Sequence, residues 1–179
     1  MADVVNIFTK EQYKITAHTE KNQLMDSKAF AESILRPAYK MCGLWSIAAE
    51  VLMLNTARAE SGLQYLTQFE NGPALSFFQI EPKTYIDVLR YLGKKSELKD
   101  KILSCCYLDI FPDSPALIWN MRLAALVARV KYWMVPEPLP EHTDIVGQAK
   151  YWKKYYNTTL GDGTGEHFMR KARRFNDYA

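Results

Sequence analysis

The chain is predicted to be a mainly α-helical single domain of roughly six to eight helices, with one short extended or β segment near 63–80. Three observations predict it. Apolar residues recur at helical spacing along most of the 179 residues, and Gly or Pro falls where the periodic runs end. The length suits one compact unit better than two. Apolar residues make up 48% against 24% charged, enough to fill a core and too apolar for a disordered chain.

Residues 1–25 are polar and weakly patterned, and are expected to form an N-terminal arm on a domain spanning 26–179. From Asp26 a helical pattern runs through Phe30, Ile34, Leu35 and Tyr39 to a stop at Gly43. The next helix, Trp45 to about Glu60, is apolar nearly all round (Ile47, Ala48, Val51, Leu52, Leu54), which places it at the centre of the fold. Gly62, Asn71, Gly72 and Pro73 break the pattern, and Leu75–Ile80 reads as a short strand or extended loop. Pro82 opens a helix that Gly93 closes, and another spans Ser96 to Tyr107. Asp113 or Ser114 is expected to cap one long apolar helix, with Pro115 just inside it, running to Met134. Beyond the stiff PEPLP link come a helix from about Thr143 to Asn157, the turn LGDGTG, and a last basic helix from about Thr164 to Asn176.

Several function classes are disfavoured at this level. The net charge of +3 is too small to argue for nucleic acid. It is uneven, however: seven basic residues and two acidic ones lie between Lys150 and Arg174. That basic end reads as a solvated helix face, or as a surface for an anionic polymer or an acidic partner. Cys42, Cys105 and Cys106 are odd in number with two adjacent, so they read as small buried hydrophobes of a reducing compartment, not as a disulfide framework. Ala116–Val135 is interrupted by Arg122, Arg129 and Lys131 and is not expected to span a membrane. The opening residues are not expected to act as a secretory leader, because Lys10 and Glu11 cut short the apolar run. His18, His142 and His167 are scattered and GDGTG lacks the lysine of a phosphate loop, so neither a metal nor a cofactor is expected.

One carboxylate stands in an unusual setting. Glu60 ends the apolar helix, in NTARAESGL. A carboxyl at the edge of a core has its charged form disfavoured, so its pKa rises and it can hold a proton near neutral pH. That is what a general acid attacking a glycosidic oxygen requires. The local sequence alone favours an ordinary solvated helix-terminal glutamate. The aromatic content of 13% fits either a well-filled core or a sugar-stacking surface. Tyr151, Trp152, Tyr155 and Tyr156, at helical spacing, read as core first and as a ligand platform second.

Four segments in order, ARAESG, SFFQIEPKTY, DSPALIWNMRLAALVARVKYW and YWKKYYNTTLGDGT, resemble the lytic transglycosylase (soluble-lytic-type) and goose-type lysozyme superfamily. In that family a Glu-Ser pair ends the central helix, a Gly-Leu-Met-Gln-Ile/Leu-x-Pro segment follows about twenty residues on, then an Asn-Ile helix and an Ala-Tyr-Asn turn. Glu60-Ser61, Gln79-Ile80-Glu81-Pro82, Asn120-Met121 and Tyr156-Asn157 match in the same order, over some two thirds of the chain. The resemblance implies a lysozyme-like domain that cleaves the MurNAc–GlcNAc β-1,4 bond of peptidoglycan. It implies Glu60 as catalytic acid and then base, Ser61 beside that carboxylate, Gln79 on the substrate's acetamido group, Tyr156 approaching Glu60 through its hydroxyl, and Asn157 fixing the turn. Ser76 stands where the family has glycine, and Phe77-Phe78 where it has Leu-Met, a departure expected to narrow or weaken the site.

An inverting hydrolase also needs a second carboxylate on the order of 6.5–9.5 Å away. Glu70 is the best-placed candidate, ahead of Glu81, Asp109 and Asp113. The family's transglycosylases need only one glutamate, because the sugar's own C6 hydroxyl attacks and leaves a 1,6-anhydro end. The alternative is a non-catalytic lysozyme-like docking module. Both suit a bacteriophage virion component or lysin acting at the cell wall, with virion or tail proteins met through residues 1–25 or the basic end.

Overall fold

The computed structural model describes residues 25–68, 72–157 and 163–173. The expected arm at 1–25, apart from Met25, lies outside them, as do Glu70 and the chain beyond Arg173. The prediction of a mainly helical fold holds, with seven helices among the described residues. Helix α1 is built of Ser27–Phe30, a π-helical stretch Ala31–Leu35, and Arg36–Cys42. Then come α2 (Ile47–Ser61), α3 (Pro82–Leu92), α4 (Ser96–Cys105), α5 (Met121–Trp133), α6 (Ile145–Trp152, continued by a π-helical stretch Lys153–Asn157) and α7 (Gly165–Arg173).

The central helix is α2, as its all-round apolar pattern requires. Ser46 caps it by accepting from the Ala49 amide at 3.0 Å. Gly62 ends it at φ 64°, a left-handed cap that glycine adopts without a Cβ penalty. Around α2 the core is aromatic: Trp152, Tyr39, Tyr85, Tyr132, Phe30 and Phe78 are its largest fully buried side chains. The cluster at 151–156 is therefore core, and Trp152, only 1% exposed, offers no stacking face to a sugar. Cys42, Cys105 and Cys106 are buried and free. Among the described residues no helix is long and apolar enough to cross a membrane.

The predicted long helix from 113 to 134 is two elements. A 3-10 turn, Ser114–Leu117, is followed by a break at 118–120, and α5 begins at Met121. The cause is Asn120, whose backbone leaves helical geometry at φ −97° and ψ 85°. Its Oδ1 accepts from the Leu123 amide at 3.0 Å, making it the N-cap of α5 and not a residue within a helix.

The extended segment near 63–80 contains no strand among its described residues. Two isolated antiparallel bridges, Thr67 with Leu75 and Leu75 with Ile80, take its place. The Leu75 amide donates to the Ile80 carbonyl at 3.0 Å and the Ile80 amide returns to Leu75 at 2.8 Å, closing Ser76–Gln79 into a tight turn.

Removing the α5 cap tests this account. Asn120→Ala should cost about 1 kcal/mol, lowering the midpoint of thermal unfolding by about 2–4 °C, whereas Asn120→Asp should leave it near wild type. Circular dichroism melts of the two variants would decide it, and equal melts for Asn120→Ala and wild type would refute the capping role.

Candidate active site

Glu60 occupies the last turn of α2, where the helix leaves the core, and is half-buried. Its Oε1 accepts from the Trp152 indole Nε1–H at 2.8 Å, across from α6. Burial pushes the carboxyl up from 4.5 to about 7, against the opposing pull of the Trp152 hydrogen bond and of the Lys131 charge. Desolvation thus wins over both stabilising contacts, and the group holds a proton close to neutral pH.

Lys131, on α5, is the cation that Glu60 senses. Its Nζ donates to the Tyr156 carbonyl at 2.8 Å and sits 3.9 Å from the centre of the Tyr156 ring. Burial drives this lysine down from 10.5 to about 8, while Glu60 and then Glu81 pull it back up. Sequence reasoning missed both Lys131 and the Trp152 contact. The signal for Lys131 was present as a cation within an apolar helix, where it served only to exclude a membrane span.

Ser61 and Tyr156 reach the site by way of one turn. The Ser61 hydroxyl donates to the Phe77 carbonyl at 2.8 Å, with a longer contact of 3.1 Å to Ala57 O. The Tyr156 hydroxyl donates to the next carbonyl, that of Phe78, also at 2.8 Å. The hydrogen bond of this hydroxyl goes to that carbonyl and not to the Glu60 carboxylate. Tyr156 instead couples to Glu60 through its charge, in a buried position that raises the phenol well above its usual range. Phe77 and Phe78 pack their rings on Phe30 of α1, with centroids 5.6 and 6.1 Å apart.

Gln79 turns inward on its own loop. Its Nε2 donates to the Ser76 carbonyl at 2.9 Å, beside the Gln79 amide at 3.1 Å, and its φ is +47°. Asn157 accepts from Lys153 Nζ at 2.8 Å, within the π-helical end of α6. Its amide also borders Gly163, where a Cβ would stand 3.0 Å from Asn157 Nδ2 and 2.5 Å from the Trp152 ring. A side chain at 163 would thus collide with the Trp152 ring, and glycine avoids it. On the far side, α7 packs against the end of α2, and His167 Nε2 lies 2.9 Å from the Ala59 carbonyl. Arg170 can only donate, so its contact with His167 Nδ1 at 3.3 Å makes that nitrogen the acceptor and leaves Nε2–H to donate to Ala59.

Ser76 has φ +67°, the left-handed conformation glycine takes freely. Its hydroxyl recovers part of the cost by accepting from the Phe78 amide at 3.2 Å. The side chain is 2% exposed. It therefore points into the protein, and the expected narrowing of an open site by this residue does not occur.

No protein-family model, curated protein or solved structure matches the chain.

The raised carboxyl has a consequence for stability. The folded chain keeps on Glu60 a proton that the unfolded chain releases between its ordinary value and about 7, so this contribution to stability is lost as pH rises through that interval. Glu60→Gln carries no such penalty. It should melt above wild type at about pH 8, by on the order of 2 kcal/mol, and converge with wild type at about pH 4. Thermal melts across that range check it, and parallel curves would show that Glu60 is an ordinary solvated carboxylate.

Proposed function

We propose that the protein cleaves the MurNAc–GlcNAc β-1,4 bond of peptidoglycan, with Glu60 as general acid. The observation that carries this reading is a carboxyl pushed up to about 7 by burial at the end of the central helix. Such a group delivers a proton to the leaving glycosidic oxygen as the bond from that oxygen to C1 breaks. The resulting carboxylate then takes a proton from the incoming oxygen as the new bond to C1 forms. If that oxygen is the sugar's own C6 hydroxyl, the product is a 1,6-anhydro end; if it is water, the product is a reducing end.

The surroundings of Glu60 support the reading from a second side. Three of the four segments on which the resemblance rests meet here. Glu60-Ser61, the Ser76–Gln79 turn and Tyr156 are joined by hydrogen bonds to the Phe77 and Phe78 carbonyls. The fourth, Asn120-Met121, serves as the start of α5. The left-handed φ of Ser76 suits a position that is glycine in the family. Among the described residues, Glu81 is the carboxylate sharing Lys131 with Glu60, which makes it the better second acid for a hydrolytic route than Asp109 or Asp113.

One observation favours the non-catalytic docking module as the second reading. The Gln79 amide and the Tyr156 hydroxyl are both engaged by backbone carbonyls, so the groups expected to hold substrate are committed to the fold.

Purified protein incubated with murein sacculi separates the two. The enzyme reading expects released muropeptides, a rate that falls as pH rises through about 7, and a loss of roughly 10²–10⁴-fold in Glu60→Gln. Mass spectrometry of the products distinguishes anhydro from reducing ends. No release by wild type, or equal release by Glu60→Gln, leaves the docking module.

A further inference from the structure

We infer that Trp152 is a positioning residue of the Glu60 site: by donating its indole N–H to Oε1 it makes that oxygen the carbonyl of the protonated carboxyl and leaves the acidic proton on Oε2. The inference rests on the glycosidase reading for its catalytic meaning, while the orientation of the carboxyl stands on geometry.

An indole N–H donates and never accepts, so Oε1 is the acceptor whether Glu60 is charged or neutral. The bond is 2.8 Å long, at the short end of the N–H···O range. In a neutral carboxyl the carbonyl oxygen is the stronger acceptor, and the hydroxyl oxygen carries the proton. The two oxygens of Glu60 are therefore not equivalent. Oε2 has no hydrogen-bond partner among the described residues. The buried side-chain polar atom left without a partner among those residues is Nη1 of Arg129, so Oε2 lies where solvent reaches it. At the other end of α2, Trp45 makes the corresponding bond to Glu50 at 2.7 Å, but there Arg36 engages both oxygens and leaves neither open.

The donor is held from both sides. Trp152 is buried, and Phe168 of α7 packs on its ring with centroids 5.3 Å apart. At Gly163 the chain passes so close that a Cβ would stand 2.5 Å from the ring. A flexible glutamate is thus oriented by a fixed ring, and not the reverse. In the acid step the bond from Oε2 to its proton breaks as the leaving glycosidic oxygen takes that proton. The negative charge left on the carboxyl is met at Oε1 by the indole N–H. In the second step the incoming oxygen returns a proton to Oε2. One oxygen handles the proton in both steps, and the other keeps a single hydrogen bond throughout.

The charged and titratable groups that sense Glu60 are Lys131 and Tyr132 of α5 and Tyr156 of α6. On α7, His167 is bonded to the Ala59 carbonyl. A substitution at 152 keeps all four, so what changes at Glu60 is the donor.

Infrared difference spectra of the full chain, recorded below and above about 7, test the assignment. The carbonyl stretch that appears on protonation and is absent from Glu60→Gln belongs to Glu60. Trp152→Phe keeps an aromatic ring and removes the donor. It should move this stretch to higher frequency, as a carbonyl losing a hydrogen bond does, and raise its titration by about one unit. A stretch that stays put in folded Trp152→Phe places the carbonyl on Oε2 and overturns the inference. So does the lack of any Glu60-dependent stretch in wild type. If Trp152→Phe does not fold, benzothienylalanine at 152, which keeps both rings with sulfur in place of N–H, makes the same comparison.

On sacculi, Trp152→Phe should lower kcat by roughly 10–100-fold with little change in KM. The fall in rate with rising pH should move upward by about one unit. Unchanged kcat and an unchanged pH profile in the folded variant overturn the positioning role. Infrared shifts as expected with no muropeptide release by wild type refute the glycosidase reading and leave the orientation of the carboxyl in place.

Discussion

A helix buried along most of its length must still satisfy whatever polar side chains it carries, and in this fold α2 carries one at nearly every turn. An unpaired polar group in that position costs roughly 1–3 kcal/mol, so each one dictates where a neighbouring element can sit. Glu50 holds Arg36 of α1 through two contacts, at 2.9 and 2.6 Å, and the Trp45 indole at 2.7 Å. Asn55 takes Gln148 of α6 at 2.9 Å, and Thr56 meets the Tyr132 hydroxyl of α5 at 3.0 Å. Arg58 reaches back to Ser27 at the start of α1, and Ser61 to the Phe77 carbonyl. These contacts orient α1, α5, α6 and the 76–79 turn about one axis, in a way that apolar burial alone would leave degenerate.

The two glutamates of α2 are held in different ways. Glu50 is almost wholly buried, yet its carboxylate has a fork of guanidinium donors and an indole donor, so the charge is matched where it lies. Glu60, at the other end, has one indole donor and a lysine whose hydrogen bond is committed elsewhere. The two thus differ in the number of donors directed at the carboxylate. A fully satisfied acid is a structural part; an under-satisfied one at the edge of the core holds its proton more tightly. The stability forgone at Glu60 is the same quantity as the proton affinity that an acid catalyst needs.

Local patterning made most of the helices legible. Gly43, Gly62 and Gly93 mark the ends of α1, α2 and α3, and Pro82 opens α3 as its fixed φ predisposes it to do. The break before α5 was obscured because Asn120 lies among apolar residues, where hydrophobic periodicity runs on unbroken and a short capping side chain carries little weight. Glu60 could be singled out since its anomaly is local: a carboxylate closing an apolar helix. Trp152 and Lys131 could not, because their relation to Glu60 spans 92 and 71 positions of sequence and exists only once α5 and α6 pack on α2. The commitment of the Tyr156 hydroxyl to Phe78 was hidden for the same reason, a carbonyl having no signature in the sequence.

The 76–79 turn explains how a serine is accommodated in left-handed geometry at position 76. A left-handed serine costs on the order of 1 kcal/mol relative to glycine, and Gln79 adds a second left-handed residue three positions on. Such strain persists only where the surroundings over-determine the backbone. Here they do: the two bridge hydrogen bonds close the turn, Ser61 and Tyr156 hold consecutive carbonyls, and both phenylalanine rings are anchored on Phe30. With the backbone fixed from three directions, the residue at 76 needs only a side chain small enough to lie buried and bond to the Phe78 amide. Serine meets both demands, so the turn keeps the shape a glycine would give it while the residues that clamp it, Ser61 and Tyr156, are those flanking Glu60 and Lys131. The geometry around Glu60 is thus maintained by backbone carbonyls of this loop, whatever the side chain at 76 contributes.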